Sequence, residues 1–320
     1  MNTAFNPSPA GADPIRAILD AAGESVLAII AGVEGPSYRP LGAMMAVLSD
    51  GSRAGTLSSG CIEADIALHA AEALKAGAPR LVRYGRGSPF VDIELPCGGG
   101  LDILLVPQPD RSALREIARR QAARDGCSLH IDINSGAMTV KDEGATRRAD
   151  NALTVRFDPA IRFLVFGKGP EATTFAALVN SAGYPNLLLS PDIETLQAGE
   201  SAGCPTQHMP TKRFPKGLAA DAHTAIVLFF HDHDWEPPIL QPALTTEAFY
   251  IGSQGSQRAR DTRVATLKDM GVPSDDIARL RGPVGLIPSA RDAGTLAVSV
   301  LAEVLATAMQ KTRLSGWRRG

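Results

Sequence analysis

The segment "IRFLVFGKGPEATTFAALVNSAGYPNLLLSPD", residues 161–192, restricts the possible folds more than any other stretch of the chain. An apolar run ends in a glycine turn, an amphipathic pattern of helical period follows, and a second apolar run ends at a proline. "HTAIVLFFHDHDWE" supplies a further buried strand, and "AFYIGSQGSQRARDTRVATLKDMG" repeats strand, glycine turn and helix. Such alternation demands a parallel sheet covered on both faces, since each parallel neighbour needs a crossover. The second half is therefore predicted to be a Rossmann-like, doubly wound α/β domain, closed by the helix "AGTLAVSVLAEVLATAMQ".

The first half has a different grammar. A short helix near Pro14 to Ala22 leads to the strand "SVLAIIAGVE", the loop "GPSYRPLGA" and the strand "AMMAVLSDG". A helix from Ile62 to about Ala76, the strands "RLVRYG" and "LDILLVP", a charged helix from about Arg111 and a hairpin of "SLHIDIN" with "AMTVK" complete an α+β pattern. The polar segment "KDEGATRRADNA" reads as a linker. The expected division is a disordered 1–13, an α+β domain at 14–150, a Rossmann-like domain at 151–310 and a basic tail at 311–320.

The formal net charge of −2 gives no electrostatic reason to expect a nucleic-acid or membrane partner. No run approaches the apolar length that spans a bilayer, and "MNTAFNPSPAGAD" has no secretory grammar. The four cysteines, at 61, 97, 127 and 204, lack CxxC spacing, which argues against a zinc ribbon and a disulfide framework. The expectation is a reduced, cytoplasmic protein.

Gly167-Lys168-Gly169-Pro170-Glu171-Ala172 matches GxGxxA between a strand and a helix, the setting in which glycines admit a pyrophosphate to a helix N-terminus. Pro170 removes one N–H, and Asp192 follows the end of the second strand rather than ending it, so NAD(P) is expected to bind weakly. The loops at Gly167, at His231, Asp232 and His233, and at Gly252, Gly255 and Ser256 all follow strands and should converge on one crevice. The two histidines around Asp232 read as a polar loop shaping that crevice sooner than as a metal site.

Cys61 follows a Ser-Ser-Gly turn and precedes a helix, where partial positive charge favours a thiolate. Cys97, in "LPCGGG", is its partner by type, and the glycines beside both thiols could turn successive N–H groups inward as an anion nest. Glu63, early in the same helix, is accounted for by the helix dipole alone.

"GPSYRPLGAMMAVLSDGSRAGTLSSGCIEADIALHA" with "LPCGGGLDILLVP" resembles the amino-terminal domain of the XdhC/CoxI family, accessory proteins of xanthine dehydrogenase and related molybdenum hydroxylases. "FGKGP", "FFHDHDWEPPIL", "FYIGSQGSQRARDTRVATLKDMG" and "GPVGLIPSARDAGTLAVSVLAEVLA" resemble, in the same order, the family's Rossmann domain. The resemblance implies a molybdenum-cofactor chaperone that holds a molybdopterin-type cofactor during sulfuration and delivers it to an apo-enzyme. A cysteine desulfurase or other sulfurtransferase and a xanthine dehydrogenase-type hydroxylase are the implied partners, and a homo-oligomer is expected. Carried over onto this chain, the family's patterns fall on Arg39, Gly42 and Ala43, on Gly60, Cys61, Ile62 and Glu63, and on Cys97, Gly98 and Gly99, with Gly100 adjoining. Arg39 would clamp an anion, and Cys61 and Cys97 would meet the molybdenum. Ser59 stands where the family has a glycine, and Gly167-Lys168-Gly169-Pro170 where it has Gly-x-Gly-His. Two alternatives stay open on the residues alone: an NAD(P)-dependent oxidoreductase using Gly167 and Gly169, and a scaffold joining a sulfurtransferase to an apo-enzyme.

Overall fold

The run Ser25–Glu34 is apolar with almost no alternation, a pattern that suits a strand covered on both faces. A computed structural model of the chain, which describes residues 13–58, 60, 62–88, 95 and 98–316 (311–316 by backbone only), shows how the cover is built. The chain forms two compact units, divided at Pro159 and Ala160.

The first unit runs α1 (Pro14–Asp20), β1 (Ser25–Glu34), β2 (Met44–Leu48), β3 (Arg53–Gly55), α2 (Glu63–Ala76), β4 (Arg80–Gly85), β5 (Gly100–Pro107) and α3 (Arg111–Ala122). It continues through β6 (Cys127–Asp132), β7 (Met138–Lys141), β8 (Arg147–Ala149) and β9 (Ala152–Phe157). Strands β3-β2-β1-β5-β4 make one antiparallel sheet and β7-β6-β9-β8 a second. Val26, Ala28 and Ile30 pack with Ile66, Ala70 and Ala73 of α2 on one face of the first sheet. Leu27, Ile29 and Ala31, on the other face, share a core with Ile15 and Ile18 of α1, Leu114 and Ile117 of α3, and Leu129, Ile131, Leu153 and Val155 of the second sheet.

That second sheet corrects the expected linker. Residues 141–152 carry the end of β7, all of β8 and the start of β9, and the unit ends at Pro159 rather than at 150. The polar letters belong to an exposed edge, whereas Leu153 and Val155 alternate into the core and tie the segment to the first unit. The expected disorder at 1–13 falls, except for Asp13, outside the described residues; Asp13 caps α1, its Oδ1 accepting from the Ile15 N–H at 2.9 Å.

The second unit alternates strand and helix, as expected: β10 (Arg162–Gly167), α4 (Pro170–Ser181), β11 (Asn186–Ser190), α5 (Ile193–Ser201), β12 (Thr206–His208) and β13 (Thr224–Phe229). Then follow α6 (Glu236–Ala243), β14 (Tyr250–Ser253), α7 (Gln257–Asp269), α8 (Ser274–Ala278), β15 (Leu280–Arg281) and α9 (Ala293–Gly316). The six strands pair in parallel in the order β12-β11-β10-β13-β14-β15. Strand order reverses between β10 and β13, which puts the ligand crevice of this architecture at their carboxyl ends.

Helix α9 corrects two expectations. It runs on to Gly316, so residues 311–316 are helical rather than a frayed tail, no proline or glycine intervening before that point. Its span Ala293–Gln310 is also long and apolar enough to cross a membrane by length and composition, the one such helix among the described residues. Ala297, Val300 and Val304 of this helix are buried in one core with Phe163, Phe175 and Val179.

Candidate functional site

Strand register gathers the candidate loops of the first unit. Glu34 at the end of β1 pairs with Gly100 at the start of β5, and Gly100 pairs with Gly85 at the end of β4. Met44 opens β2 opposite Ile29, and Gly55 closes β3 opposite Met45. The connections β1 to β2, β3 to α2 and β4 to β5 therefore leave the sheet at the same end. Arg39 and Gly42 belong to the first, Gly60 and Glu63 border the second, and Gly98 and Gly99 close the third. Ser59, Cys61 and Cys97 lie outside the described residues, as does the expectation that the two sulfurs are near each other.

Glu63 organises the second connection. Its Oε1 accepts from Thr56 Oγ1 at 2.5 Å and from the N–H groups of Leu57 and Ser58 at 3.0 and 2.8 Å. Its Oε2 accepts from Ser58 Oγ at 2.8 Å, the Gly60 N–H at 2.9 Å and the Ile62 N–H at 3.2 Å. The residue is only 7% exposed. Burial pushes its carboxyl up, but the hydrogen bonds from Thr56, Ser58 and Leu57 outweigh it and hold the group down at about 2. Glu63 is thus more than a charge suited to a helix dipole: it gathers donors from Thr56, Leu57, Ser58, Gly60 and Ile62 on one carboxylate. Both sequence neighbours of position 61, Gly60 and Ile62, are pinned to one carboxylate oxygen. The partial positive charge at the start of α2 is already answered by Glu63 and Asp65, which alters the field expected for a thiolate there.

Arg39 extends this system, its Nε donating to the Thr56 carbonyl at 3.3 Å. Arg39, Gly42 and Ala43 line one cavity of about 400 Å³, with Gln121 and Arg156 also in its wall. Gly42 sits at φ +85, and a Cβ there would press on Val155 and Thr146 at 3.0 and 3.1 Å.

The glycines of the third connection have packing reasons. A Cβ at Gly99 would fall 2.1 Å from the Pro36 carbonyl oxygen, and one at Gly100 would fall 2.6 Å from an Arg83 nitrogen. The Gly98 N–H donates to the Leu95 carbonyl at 2.8 Å. The expected nest is corrected accordingly: the N–H of Gly60 is taken by Glu63 and that of Gly98 by Leu95.

In the second unit the GxGxxA turn is present, but two of its N–H groups, those of Lys168 and Gly169, are engaged within the protein. The Lys168 N–H donates to the Phe229 carbonyl at 3.0 Å, and the Gly169 N–H donates to Thr195 Oγ1 at 2.9 Å. Asp192 caps α5, accepting from the Thr195 N–H at 2.9 Å and its hydroxyl at 2.6 Å, and meets Lys168 Nζ at 3.3 Å. These local hydrogen bonds hold its carboxyl below the usual range. Gly167 is required by contact, since a Cβ would lie 2.6 Å from the Phe229 oxygen.

Of the strand-end residues expected at one crevice, His231, His233, Gly255 and Ser256 line a common cavity, and Gly167, Gly169, Asp232 and Gly252 are not among its lining residues. Glu171, His231, His233, Gln254, Gly255 and Ser256 share the wall of a cavity of about 450 Å³ at the carboxyl ends of β10, β13 and β14. Glu171, on the first turn of α4, faces His231 Nε2 through Oε1 at 3.3 Å, while its Oε2 is buried without a hydrogen-bond partner among the described residues. Asp232 caps a single 3-10 turn, and His233 Nδ1 faces Glu236 Oε2 at 3.1 Å. Gly252 is packed against the Tyr250 ring and Val284, Gly255 sits at φ +132, and Ser256 caps α7 through the Ala259 N–H at 3.2 Å. Among the described residues no three His, Cys, Asp or Glu side chains form a metal site.

Behind the crevice lies a buried ion pair. Glu236, fully buried, accepts from Arg263 Nε at 2.7 Å and Ser253 Oγ at 2.6 Å, and Arg263 also donates to the Gln254 carbonyl at 2.9 Å. The crevice loop is thereby fixed to α6 and α7. Sequence reasoning missed Glu63, Glu171 and Glu236 as organisers. Glu171 had a readable signal, a carboxylate in the turn where a phosphate would lie; Glu63 also had one in its capping-box spacing to Gly60, whereas Glu236 reaches Ser253 and Arg263 across 17 and 27 residues, beyond any capping pattern.

Comparison with known proteins identifies the family and the fold. Residues 163–304 match the profile of the XdhC Rossmann domain, and residues 18–85 that of the XdhC and CoxI family. The chain is 34% identical over 293 residues to the molybdenum cofactor insertion chaperone PaoD of Escherichia coli K12, covering 91% of this chain and 85% of that one. It is 25% identical to a Bacillus subtilis 168 protein named as a probable xanthine dehydrogenase component, over 92% of this chain and 96% of the other. A crystal structure described as a xanthine dehydrogenase from Bacillus halodurans shares the fold, with a TM-score of 0.78 at 21% identity over 94% of this chain and 96% of that one.

Proposed function

Since the chain belongs to the XdhC and CoxI family, we propose that it is a molybdenum-cofactor chaperone, one that holds the cofactor during sulfuration and passes it to a xanthine dehydrogenase-type hydroxylase. The likeness to PaoD, named as an insertion chaperone and similar over nearly the whole chain, is the observation that carries this reading. The first unit supplies features that suit the task. Glu63 pins Gly60 and Ile62, and Arg39 links the Thr56 carbonyl to a cavity with a second arginine, Arg156, in its wall. The Arg39 guanidinium suits the phosphate of a molybdopterin-type cargo, whereas that of Arg156 is engaged by Asp158 and the Asp142 carbonyl. Cys61 and Cys97 are assigned the soft contacts to molybdenum, on the strength of thiolate chemistry and the family pattern.

A sulfurtransferase such as a cysteine desulfurase, homo-oligomeric assembly and residence in the cytoplasm belong to the same reading. The last is supported by Cys127 and Cys204, which are buried as free thiols. The oxidoreductase alternative is disfavoured by the committed N–H groups of Lys168 and Gly169.

Anaerobic purification followed by molybdenum and pterin analysis tests the proposal. Wild-type protein should carry both, and Cys61→Ala should lower occupancy without altering the melting transition. Wild-type protein that retains neither when produced alongside active cofactor synthesis refutes it. Retention of full occupancy by both Cys61→Ala and Cys97→Ala refutes the thiol assignment.

A further inference from the structure

The crevice of the second unit keeps the position of a dinucleotide site and loses its chemistry. The Lys168 and Gly169 N–H groups donate within the protein, Pro170 has none, and the next residue, Glu171, puts a carboxylate in the wall. A pyrophosphate entering here would meet the Glu171 carboxylate beside the engaged N–H groups of Lys168 and Gly169, although Arg291 also stands in the wall. The crevice nevertheless remains, at about 450 Å³, with Phe230, Val284 and Leu296 as apolar walls. That volume lies within the range of roughly 300–1,000 Å³ typical of small-molecule sites.

We propose that this crevice binds the 2-amino-4-oxopyrimidine edge of a fused heterocycle, the edge shared by pterins and guanine, with Glu171 as its acceptor. This edge presents two adjacent N–H donors, and a carboxylate accepts such a pair with both oxygens at once. Glu171 is short of such partners: among the described residues Oε1 has only the 3.3 Å contact to the exposed His231 ring, and Oε2 has none. The terminal torsion of a glutamate is broad and two-fold, so a modest rotation presents both oxygens to the cavity. The apolar walls would take the faces of the ring while its donor edge meets the carboxylate. Preference for a pterin over guanine rests on the chaperone reading; the donor-edge chemistry does not.

The test is titration of the full chain with neopterin, followed by pterin fluorescence, with GMP, CMP and NADP+ as competitors. Neopterin should bind the wild-type chain, and Glu171→Gln should weaken it at least tenfold, because one acceptor oxygen becomes a donor facing donors. Ile287→Trp, at a half-exposed position of the cavity wall, should block binding to the same degree. Both variants should keep the wild-type melting transition read from Trp235 fluorescence. CMP and NADP+ should not compete; displacement by equimolar GMP would assign the site to guanine nucleotides. Absence of neopterin and GMP binding, or equal binding by the wild-type chain and Glu171→Gln, overturns the inference. A chain that retains molybdenum yet fails this test sinks the inference alone, and one that passes it but never retains molybdenum sinks the chaperone reading alone.

Discussion

Replacing Glu63 by glutamine keeps the shape of the side chain and removes its charge, so the variant isolates what the carboxylate contributes. Six donors among the described residues converge on the two oxygens. Each hydrogen bond to a charged group is worth up to about 1.5–3 kcal/mol, but taking the carboxylate out of water offsets much of that. The balance is readable from the carboxyl itself, which falls from 4.5 to about 2. At about 1.4 kcal/mol per tenfold, this drop is worth about 3 kcal/mol of folding free energy. Glu63→Gln leaves one acceptor oxygen and turns the other position into a donor facing Ser58, Gly60 and Ile62. Because the folded group is the more acidic one, its contribution is fully present above about pH 4.5 and is lost as pH falls toward about 2. Hydrogen exchange read by mass spectrometry on the peptide spanning 56–63 is the appropriate assay, since the sequence has no tryptophan before Trp235 and the first unit ends at Pro159. Protection there should fall about a hundredfold at pH 7 in the variant, and the gap should close at low pH after correction for intrinsic rates. Protection within threefold of wild type at pH 7 would refute the argument that the carboxylate holds these donors.

Three further outcomes follow from contacts described above. NAD(H) and NADP(H) should bind only in the high micromolar range or worse, about −5 kcal/mol or less favourable, because Gly169 donates to Thr195; low-micromolar affinity by calorimetry would contradict the closed turn. Glu236→Gln should destabilise the second unit by about 3 kcal/mol or more, leaving the guanidinium of Arg263 buried without its charge partner, and Trp235 fluorescence during urea unfolding would show it. Gly99→Ala should cost the first unit about 2 kcal/mol or more, since its Cβ would fall 2.1 Å from the Pro36 oxygen; unchanged far-UV unfolding would refute the tight crossing.

Legibility differs between the two halves for physical reasons. Residues 161–190 read as strand, turn and helix because a parallel strand buried on both faces writes an unbroken apolar run. The same logic exposes β1. It fails at β8, whose Arg147, Arg148 and Ala149 are all exposed and carry no periodic apolar signal, so a sheet edge reads as a linker. Site reading divides in the same way. The crevice loops at His231 and Gly255 follow from strand order, which topology dictates. Which N–H groups within those loops are already engaged does not, because Thr195 reaches Gly169 across 26 residues. A glycine pattern registers that backbone can approach closely; it is silent on whether ligand or protein occupies the approach.

The burial of Cys127 and Cys204 gives the chain a built-in selectivity toward thiol reagents. Both sit in cores, 0% and 4% exposed, and burial pushes both thiols up, so neither offers thiolate to an alkylating agent near neutral pH. In the native protein a brief pulse of iodoacetamide should therefore spare both, so that label found at position 61 or 97 can be read against two core thiols that answer only after unfolding. Under the proposed assignment of Cys61 and Cys97 to the cargo, such labelling would follow occupancy by mass spectrometry with no cysteine removed beforehand.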